Sequence, residues 1–219
     1  VDHLFSDHSG LAFCLLLHLE CEGVIDRFAV RQQRSGHVRR SDGAHGFTNS
    51  VTDGMPTTAP SDRTAGQVMN YTSGTTGRPK GVRRALMPFD PDTVGSMFAM
   101  FLAMFGITPQ DGGVHLVGSP LYHTAVLVFA GCSLHYGHTL SVMDKWTPED
   151  ALKVIERDRV TTTHMVPTQF HRLLALPDAV KAKYDVSSLR HVVHAAAPCP
   201  VDVKRRMLAW WGPTIYEYY

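Results

Sequence analysis

One short run, residues 71–82, constrains this chain more than any other part of its 219 residues. It spells Tyr-Thr-Ser-Gly-Thr-Thr-Gly-Arg-Pro-Lys-Gly-Val. Its glycines allow the backbone to approach a ligand closely and to adopt positive φ angles. The glycines, threonines, serine and lysine in the run are Thr72, Ser73, Gly74, Thr75, Thr76, Gly77, Lys80 and Gly81. Backbone amides, hydroxyl groups and an ammonium together predict a polyphosphate-binding loop.

The run differs from the common ATPase loop, in which a Gly-Lys-Ser/Thr sequence leads directly into a helix. Here Lys80 follows Pro79 and precedes Gly81, and proline disfavours a helix through that point. The run offers no general base, so we expect it to hold and neutralise phosphates rather than to attack them. On its residues alone, the alternative is a flexible hairpin loop rich in glycine, serine and threonine.

The run resembles the signature of the adenylate-forming superfamily, which includes acyl-CoA and aryl-CoA synthetases, luciferases and peptide-synthetase adenylation domains. This resemblance implies that the loop grips the β and γ phosphates of ATP while a carboxylate attacks the α phosphorus. It also implies Mg²⁺ with the ATP, a carboxylic acid substrate of the fatty-acid type, and CoA as the thiol co-substrate. The implied phosphate site consists of Thr72, Ser73, Gly74, Thr75, Thr76, Gly77 and Lys80.

A second segment, Pro-Leu-Tyr-His at residues 120–123, resembles the family's next segment in chain order. The resemblance implies that His123 lies beside the carboxylate substrate and controls access of the thiol, which makes it the candidate catalytic residue. Taken alone, His123 would be a packed histidine after a strand. Residues 166–170, Val-Pro-Thr-Gln-Phe, resemble a segment that walls the acyl pocket, although they would equally suit an ordinary helix start.

The adenine site is implied by a third resemblance, at the turn after residue 194. In the family, the backbone of this turn cradles the base, and here the implied residues are Ala195, Ala196, Ala197 and Pro198. His194 and Ala195 replace the more common serine and glycine, so we expect a stiffer turn. The last residues resemble the strand that enters a Tyr-x-x-Thr-Glu motif, and Tyr219 would then stack on adenine. Alternatively, Tyr219 is only a terminal aromatic residue.

The hydrophobic pattern predicts an α/β fold with a parallel-rich sheet flanked by helices, which would be part of an adenylate-forming large domain. Predicted strands cover residues 67–72, 81–85, 114–117, 139–143, 160–166, 190–194 and 213–218. Predicted helices cover residues 92–105, 124–135, 147–157, 167–176 and 201–210. The helix at 92–105 is apolar on nearly all sides, which indicates burial. Ligands bind beyond the carboxyl ends of parallel strands, so we expect the site at the loops after residues 72, 117, 166 and 194.

The domain organisation changes near residue 52. Residues 1–52 are unassigned, and the polar stretch 31–46 has no periodicity, so we expect a loop-rich segment. Residues 53–219 are predicted to form a partial AMP-binding domain. The sequence ends at Tyr219, before the Thr-Glu pair that the resemblance leads one to expect. We therefore expect this chain to be an internal fragment of a synthetase that is inactive by itself.

Composition narrows the class of protein further. With a formal net charge of +1, the chain has no strong positive field that would attract nucleic acid. No apolar run reaches the ~20 residues that span a bilayer. Four cysteines without a close pair indicate a reducing compartment, and we expect the cytoplasm. We expect no metal site in the chain, because the His135/His138 and His191/His194 pairs lack further ligands. Two other functions stay open: an acyl-AMP ligase that loads a carrier protein, and a non-catalytic nucleotide-binding remnant.

Overall fold

A six-stranded sheet, parallel throughout, is the centre of the fold. It belongs to a computed structural model that describes residues 39–40, 58, 63–72, 80–83 and 85–218. The strands lie in the order β1-β5-β4-β6-β7-β8. Their bounds are β1 Arg39–Arg40, β4 Val114–Val117, β5 Thr139–Val142, β6 Thr162–Met165, β7 His191–His194 and β8 Ile215–Glu217. The predicted α/β class with a parallel-rich sheet is confirmed.

Helices cover both faces of the sheet. Val192 packs on one side of β7 with the helices at 148–158, 167–174 and 201–211, whereas Val193 packs on the other side with the helices at 91–103 and 124–135. Neighbouring residues of a strand point to opposite faces, so a buried strand needs both layers. The helix bounds are α1 Pro91–Ala103, α2 Thr124–His135, α3 Pro148–Asp158, α4 Pro167–Leu174, α5 Asp178–Lys181 and α6 Val201–Trp211.

Helix α3 shows how the sequence sets its own boundaries. The hydroxyl of Thr147 accepts a hydrogen bond from the backbone N–H of Asp150 at 3.1 Å and donates to the Asp150 carboxylate at 2.7 Å. Pro148 follows at the first helical position, where a missing N–H costs nothing. Arg159 ends the helix in a left-handed conformation with φ of 54°. The helix predicted at 147–157 is confirmed, with Thr147 as its N-cap and both helix bounds one residue later than predicted.

The strands around the glycine-rich run do not join the parallel sheet. Asn70–Thr72 (β2) and Lys80–Val82 (β3) pair with each other in an antiparallel two-stranded sheet. Two strands joined by a short connection can pair only in this antiparallel way. The expectation that the loop after residue 72 extends from a strand of the parallel sheet was therefore wrong.

Two further expectations need correction, and one helix was not predicted. Arg39–Arg40 forms a strand beside β5, within a stretch that was expected to be loop. Helix α5 was not predicted at all, because it is a single turn. Helix α1 is not buried on all sides: Met97 and Met100 are 49% and 67% exposed. Within the part of the chain that the structure describes, only the opposite side of α1 packs against other elements.

Candidate functional site

The β2–β3 hairpin positions the two ends of the glycine-rich run. Thr72 pairs with Lys80 in the antiparallel register, and Tyr71 pairs with Gly81. The side chain of Lys80 is exposed. Five residues of the predicted phosphate site lie outside the described residues: Ser73, Gly74, Thr75, Thr76 and Gly77. The structure therefore places Thr72 and Lys80 opposite each other, and an exposed ammonium stands where the connection returns.

The carboxyl ends of the parallel strands meet along one edge of the sheet, and Gln169 joins two of them. Its side-chain oxygen accepts from the backbone N–H of Val166 at 3.0 Å. Its amide nitrogen donates to the carbonyl oxygen of Gly118 at 3.4 Å and to the hydroxyl of Ser119 at 3.3 Å. Gln169 thus fixes the loop after β4 against the start of α4. Sequence reasoning placed this residue in a pocket wall without predicting that link.

His123 lies on the same loop, one residue before α2. It is the N-cap of α2, and its side chain makes no capping hydrogen bond. The side chain is exposed, and its ring centroid lies 4.6 Å from that of Tyr122. The alternative expectation of a packed histidine is therefore wrong. An exposed imidazole at a helix N-terminus beyond β4 is free to meet a ligand at this edge.

The turn after β7 holds the residues predicted to meet adenine. Ala195 is buried, whereas Ala196, Ala197 and Pro198 are exposed. Ala196 has φ of 74°, a left-handed conformation that residues other than glycine adopt at a cost. The fifth implied adenine contact, Tyr219, lies outside the described residues. The turn presents small side chains to solvent on a strained backbone.

Behind this turn lies a charged group that sequence reasoning missed. The ammonium of Lys204 donates to the Glu217 carboxylate at 2.5 Å, and the Nε2 atom of His194 lies 3.9 Å from the same oxygen. His194 is fully buried, and neither ring nitrogen has a hydrogen-bond partner. Burial lowers the pKa of His194; Glu217 opposes that shift and Lys204 adds to it. Burial therefore favours the neutral form of the His194 imidazole by lowering its pKa.

A second buried group joins imidazoles and aromatic rings on the α2 side of the sheet. The ring of His164 stacks on Phe129 with centroids 4.9 Å apart, and His115 stacks on the same phenyl ring at 6.3 Å. The ring centroid of Tyr218 lies 6.0 Å from that of Phe129. Burial lowers the pKa of His115 to about 3 and that of His164 to about 4. The signal for them in the sequence was a histidine at an inward position of each predicted strand.

The described residues provide no ready metal site. They contain no group of three histidine, cysteine, aspartate or glutamate side chains that could hold a metal ion. His191 packs near Tyr216 and His194 near Phe170, on opposite faces of β7. Among the described helices, none combines the length and apolarity needed to cross a membrane.

Comparison with known families gives a match over most of the chain. The profile of the family described as AMP-binding enzyme matches residues 13–219. The match begins within the segment that the sequence alone left unassigned. It also includes the hairpin, the loop with His123 and the turn after β7.

Curated relatives and solved structures agree with that match. A medium/long-chain-fatty-acid–CoA ligase of Mycobacterium tuberculosis is 29% identical over 160 residues, 73% of this chain and 26% of the relative. A 4-chlorobenzoate–CoA ligase of a Pseudomonas species is 34% identical over 142 residues, 63% of this chain and 25% of the relative. The ATP-bound RpMatB-BxBclM chimera B3 superposes with a TM-score of 0.56 at 27% identity, covering 80% of this chain and 33% of that one. The chain thus spans about a quarter of the length of these curated relatives.

Proposed function

Since this chain belongs to the AMP-binding enzyme family, whose relatives here are AMP-forming acid–thiol ligases, we propose that it is the ATP-binding part of an acyl-CoA synthetase. The observation that carries the proposal is the hairpin that pairs Thr72 with Lys80 at the two ends of the glycine-rich run. The phosphate site would consist of Thr72, Ser73, Gly74, Thr75, Thr76, Gly77 and Lys80.

The proposed reaction has two steps. An oxygen of the carboxylic acid attacks the α phosphorus of ATP, and the bond to the β-phosphate oxygen breaks, so that acyl-AMP forms and pyrophosphate leaves. The sulfur of the CoA thiolate then attacks the acyl carbonyl carbon, and the bond to the AMP oxygen breaks. The thiol proton is lost to solvent, and AMP leaves as the second product.

The part of Lys80 in this reaction is electrostatic. Its ammonium would neutralise charge on the β and γ phosphates and so favour departure of pyrophosphate. Mg²⁺ would arrive with the ATP. The described residues do not supply a ligand set for it, so no step is assigned to a metal held by them.

The acid is proposed to be a fatty acid. This proposal follows the medium/long-chain-fatty-acid–CoA ligase among the relatives, and the 4-chlorobenzoate–CoA ligase makes an aromatic acid the alternative. His123 would lie beside the carboxylate and control access of the thiol. Its exposure at the N-terminus of α2, beyond β4, supports this role. Residues 166–170 would wall the acyl pocket.

The adenine base would lie on the turn of Ala195, Ala196, Ala197 and Pro198, with Tyr219 against its face. The small side chains of this turn and their exposure support that placement. We further propose residues 1–52 and 53–219 as the two segments of the chain, and the cytoplasm as its location on account of its cysteine usage.

Acid-dependent exchange of labelled pyrophosphate into ATP tests the proposal. A protein that carries this segment within a full-length synthetase should show exchange with fatty acids and should form a thioester with CoA. The 219-residue chain alone should bind ATP with little exchange, because it spans about a quarter of its relatives. A full-length protein that exchanges no pyrophosphate with any carboxylic acid would refute the assignment, and transfer to a pantetheinylated carrier instead of CoA would favour the acyl-AMP ligase.

A further inference from the structure

The hairpin that carries Lys80 is joined to the rest of the fold by an ion pair that lies before it in the chain. The Nη2 atom of Arg63 donates to the Oδ2 atom of Asp92 at 3.0 Å. Arg63 precedes β2, whereas Asp92 lies in the first turn of α1. Between Arg63 and β2, Ala65 is buried, with 4% of its surface exposed, so the segment that leads into β2 is held by packing as well as by charge.

The start of α1 is a rigid point of attachment. Asp90 caps the helix, because its carboxylate accepts from the backbone N–H of Thr93 at 3.0 Å. Pro91 follows at the first helical position and is buried. An aspartate in the first turn, as at position 92, is also favoured by the helix dipole. Asp92 therefore lies in the first turn of a capped helix.

The other end of the hairpin leads to the same point. After β3 the chain runs through residues 83–90 into the cap of α1. Within the described residues, β2 and β3 pair only with each other, and the sheet that they form is separate from the parallel sheet. Lys80 and Gly81 are exposed, so the start of β3 lies on the surface. The N-terminus of α1 is thus where both ends of this hairpin meet the domain.

We propose that the Arg63–Asp92 ion pair is a positioning device that fixes the direction of the β2–β3 hairpin, and with it the ammonium of Lys80. Neither residue touches ATP in this role, and both act through the hairpin. The inference rests on the proposed function where ATP is the readout, and on geometry alone where the mobility of the hairpin is the readout. An exposed or half-exposed ion pair contributes little to global stability, so loss of the pair should affect the hairpin far more than the fold.

Amide hydrogen exchange on the 219-residue chain tests the geometric part. Arg63→Ala and Asp92→Asn should each raise exchange at residues 70–72 and 80–82, and leave exchange in β4 and β6 and the urea midpoint unchanged. The double variant should match either single variant, because residues that act as one unit are not additive. Arg63→Lys should restore slow exchange. Arg190→Ala, which removes the ion pair with Asp111 elsewhere on the surface, is the matched control.

Equilibrium binding of ATP tests the functional part. Arg63→Ala should weaken ATP binding by about fivefold, a coupling of about 1 kcal/mol, and Arg63→Lys should recover most of it. If hairpin exchange in Arg63→Ala equals that in Arg190→Ala, the positioning role is refuted. If the wild-type chain binds no ATP, the proposed function fails, while the exchange measurement still decides whether the ion pair anchors the hairpin.

Discussion

Gln169 and Gly118 are joined across the carboxyl edge of the sheet: the side-chain amide of the first donates to the carbonyl oxygen of the second at 3.4 Å. Gly118 also fits closely under Trp146, because a Cβ at this position would lie 2.8 Å from the Cδ1 atom of that indole. The loop that leads to His123 is therefore fixed on two sides. This relation makes the position of His123 a consequence of packing rather than of the loop sequence alone.

Replacement of Gln169 should loosen that loop. Gln169→Leu keeps most of the volume but leaves the N–H of Val166 and the carbonyl of Gly118 without their partner, and we expect a loss of about 1–3 kcal/mol in the free energy of unfolding. Urea denaturation of the chain measures it. Thr168→Ala, an exposed neighbour in the same helix, is the control. Equal midpoints for Gln169→Leu and wild type would contradict a structural link.

Stability should fall as the pH is lowered below about 6.5, the ordinary pKa of histidine. Burial holds the folded-state pKa of His164 near 4 and that of His115 near 3, so the unfolded chain binds more protons between these values and 6.5. Unfolding is then favoured by about 1.4 kcal/mol per pH unit for each histidine over that window. Urea midpoints from pH 7 to pH 4 measure the loss.

The variant His164→Phe isolates one of these contributions. Phenylalanine can keep the stack on Phe129 and cannot take up a proton, so the pH dependence should become shallower while stability at pH 7 stays similar. His171→Ala, at an exposed position of α4, serves as the control. Identical slopes for wild type and His164→Phe would show that the imidazole is not kept neutral by the fold.

The central strands and helices were predictable from the sequence because hydrophobic periodicity and helix caps depend on residues close together in the chain. Residues 114–117 and 124–135 were predicted with their observed bounds, and the helix predicted at 147–157 is displaced by only one residue. The separate sheet of β2 and β3 was not predicted, because strand propensity does not specify which strand is the partner. The exposed side of α1 was missed for a related reason: an apolar helix surface indicates burial, but the sequence does not say which elements cover it.

The candidate site was predictable only where a motif carried it. Thr72, Lys80 and His123 came from runs of sequence, and the structure places them on a hairpin end and at a helix start. Lys204 and Glu217 are 13 residues apart and belong to different elements, so their contact at 2.5 Å depends on the docking of α6 beside β8. No local pattern encodes such a contact.

At the strained turn after β7, we expect a substitution that stabilises the chain. Ala196 has φ of 74°, a conformation that costs a residue with a Cβ about 1–2 kcal/mol. Glycine avoids this cost but loses about 0.5–1 kcal/mol more conformational entropy on folding than alanine does. Ala196→Gly should therefore stabilise the chain by about 0.5–1 kcal/mol in urea denaturation. Ala197→Gly, one residue on and without a positive φ, should destabilise it slightly. A loss of stability in Ala196→Gly would mean that this backbone conformation is not strained.

Lys80 should contribute to the binding of the β and γ phosphates of ATP and not to the binding of the rest of the nucleotide. Hydrogen bonds to charged groups contribute about 1.5–3 kcal/mol, so Lys80→Met should weaken ATP binding by about tenfold to a hundredfold. AMP lacks the β and γ phosphates, and its affinity should not change. Because an exposed charge interaction is screened by salt, the wild-type affinity for ATP should fall more steeply with ionic strength than that of the variant. Isothermal titration at two salt concentrations, with Lys183→Met as the control for an exposed lysine elsewhere, separates these effects. Equal loss of AMP and ATP affinity in Lys80→Met would place the ammonium at the wrong end of the nucleotide.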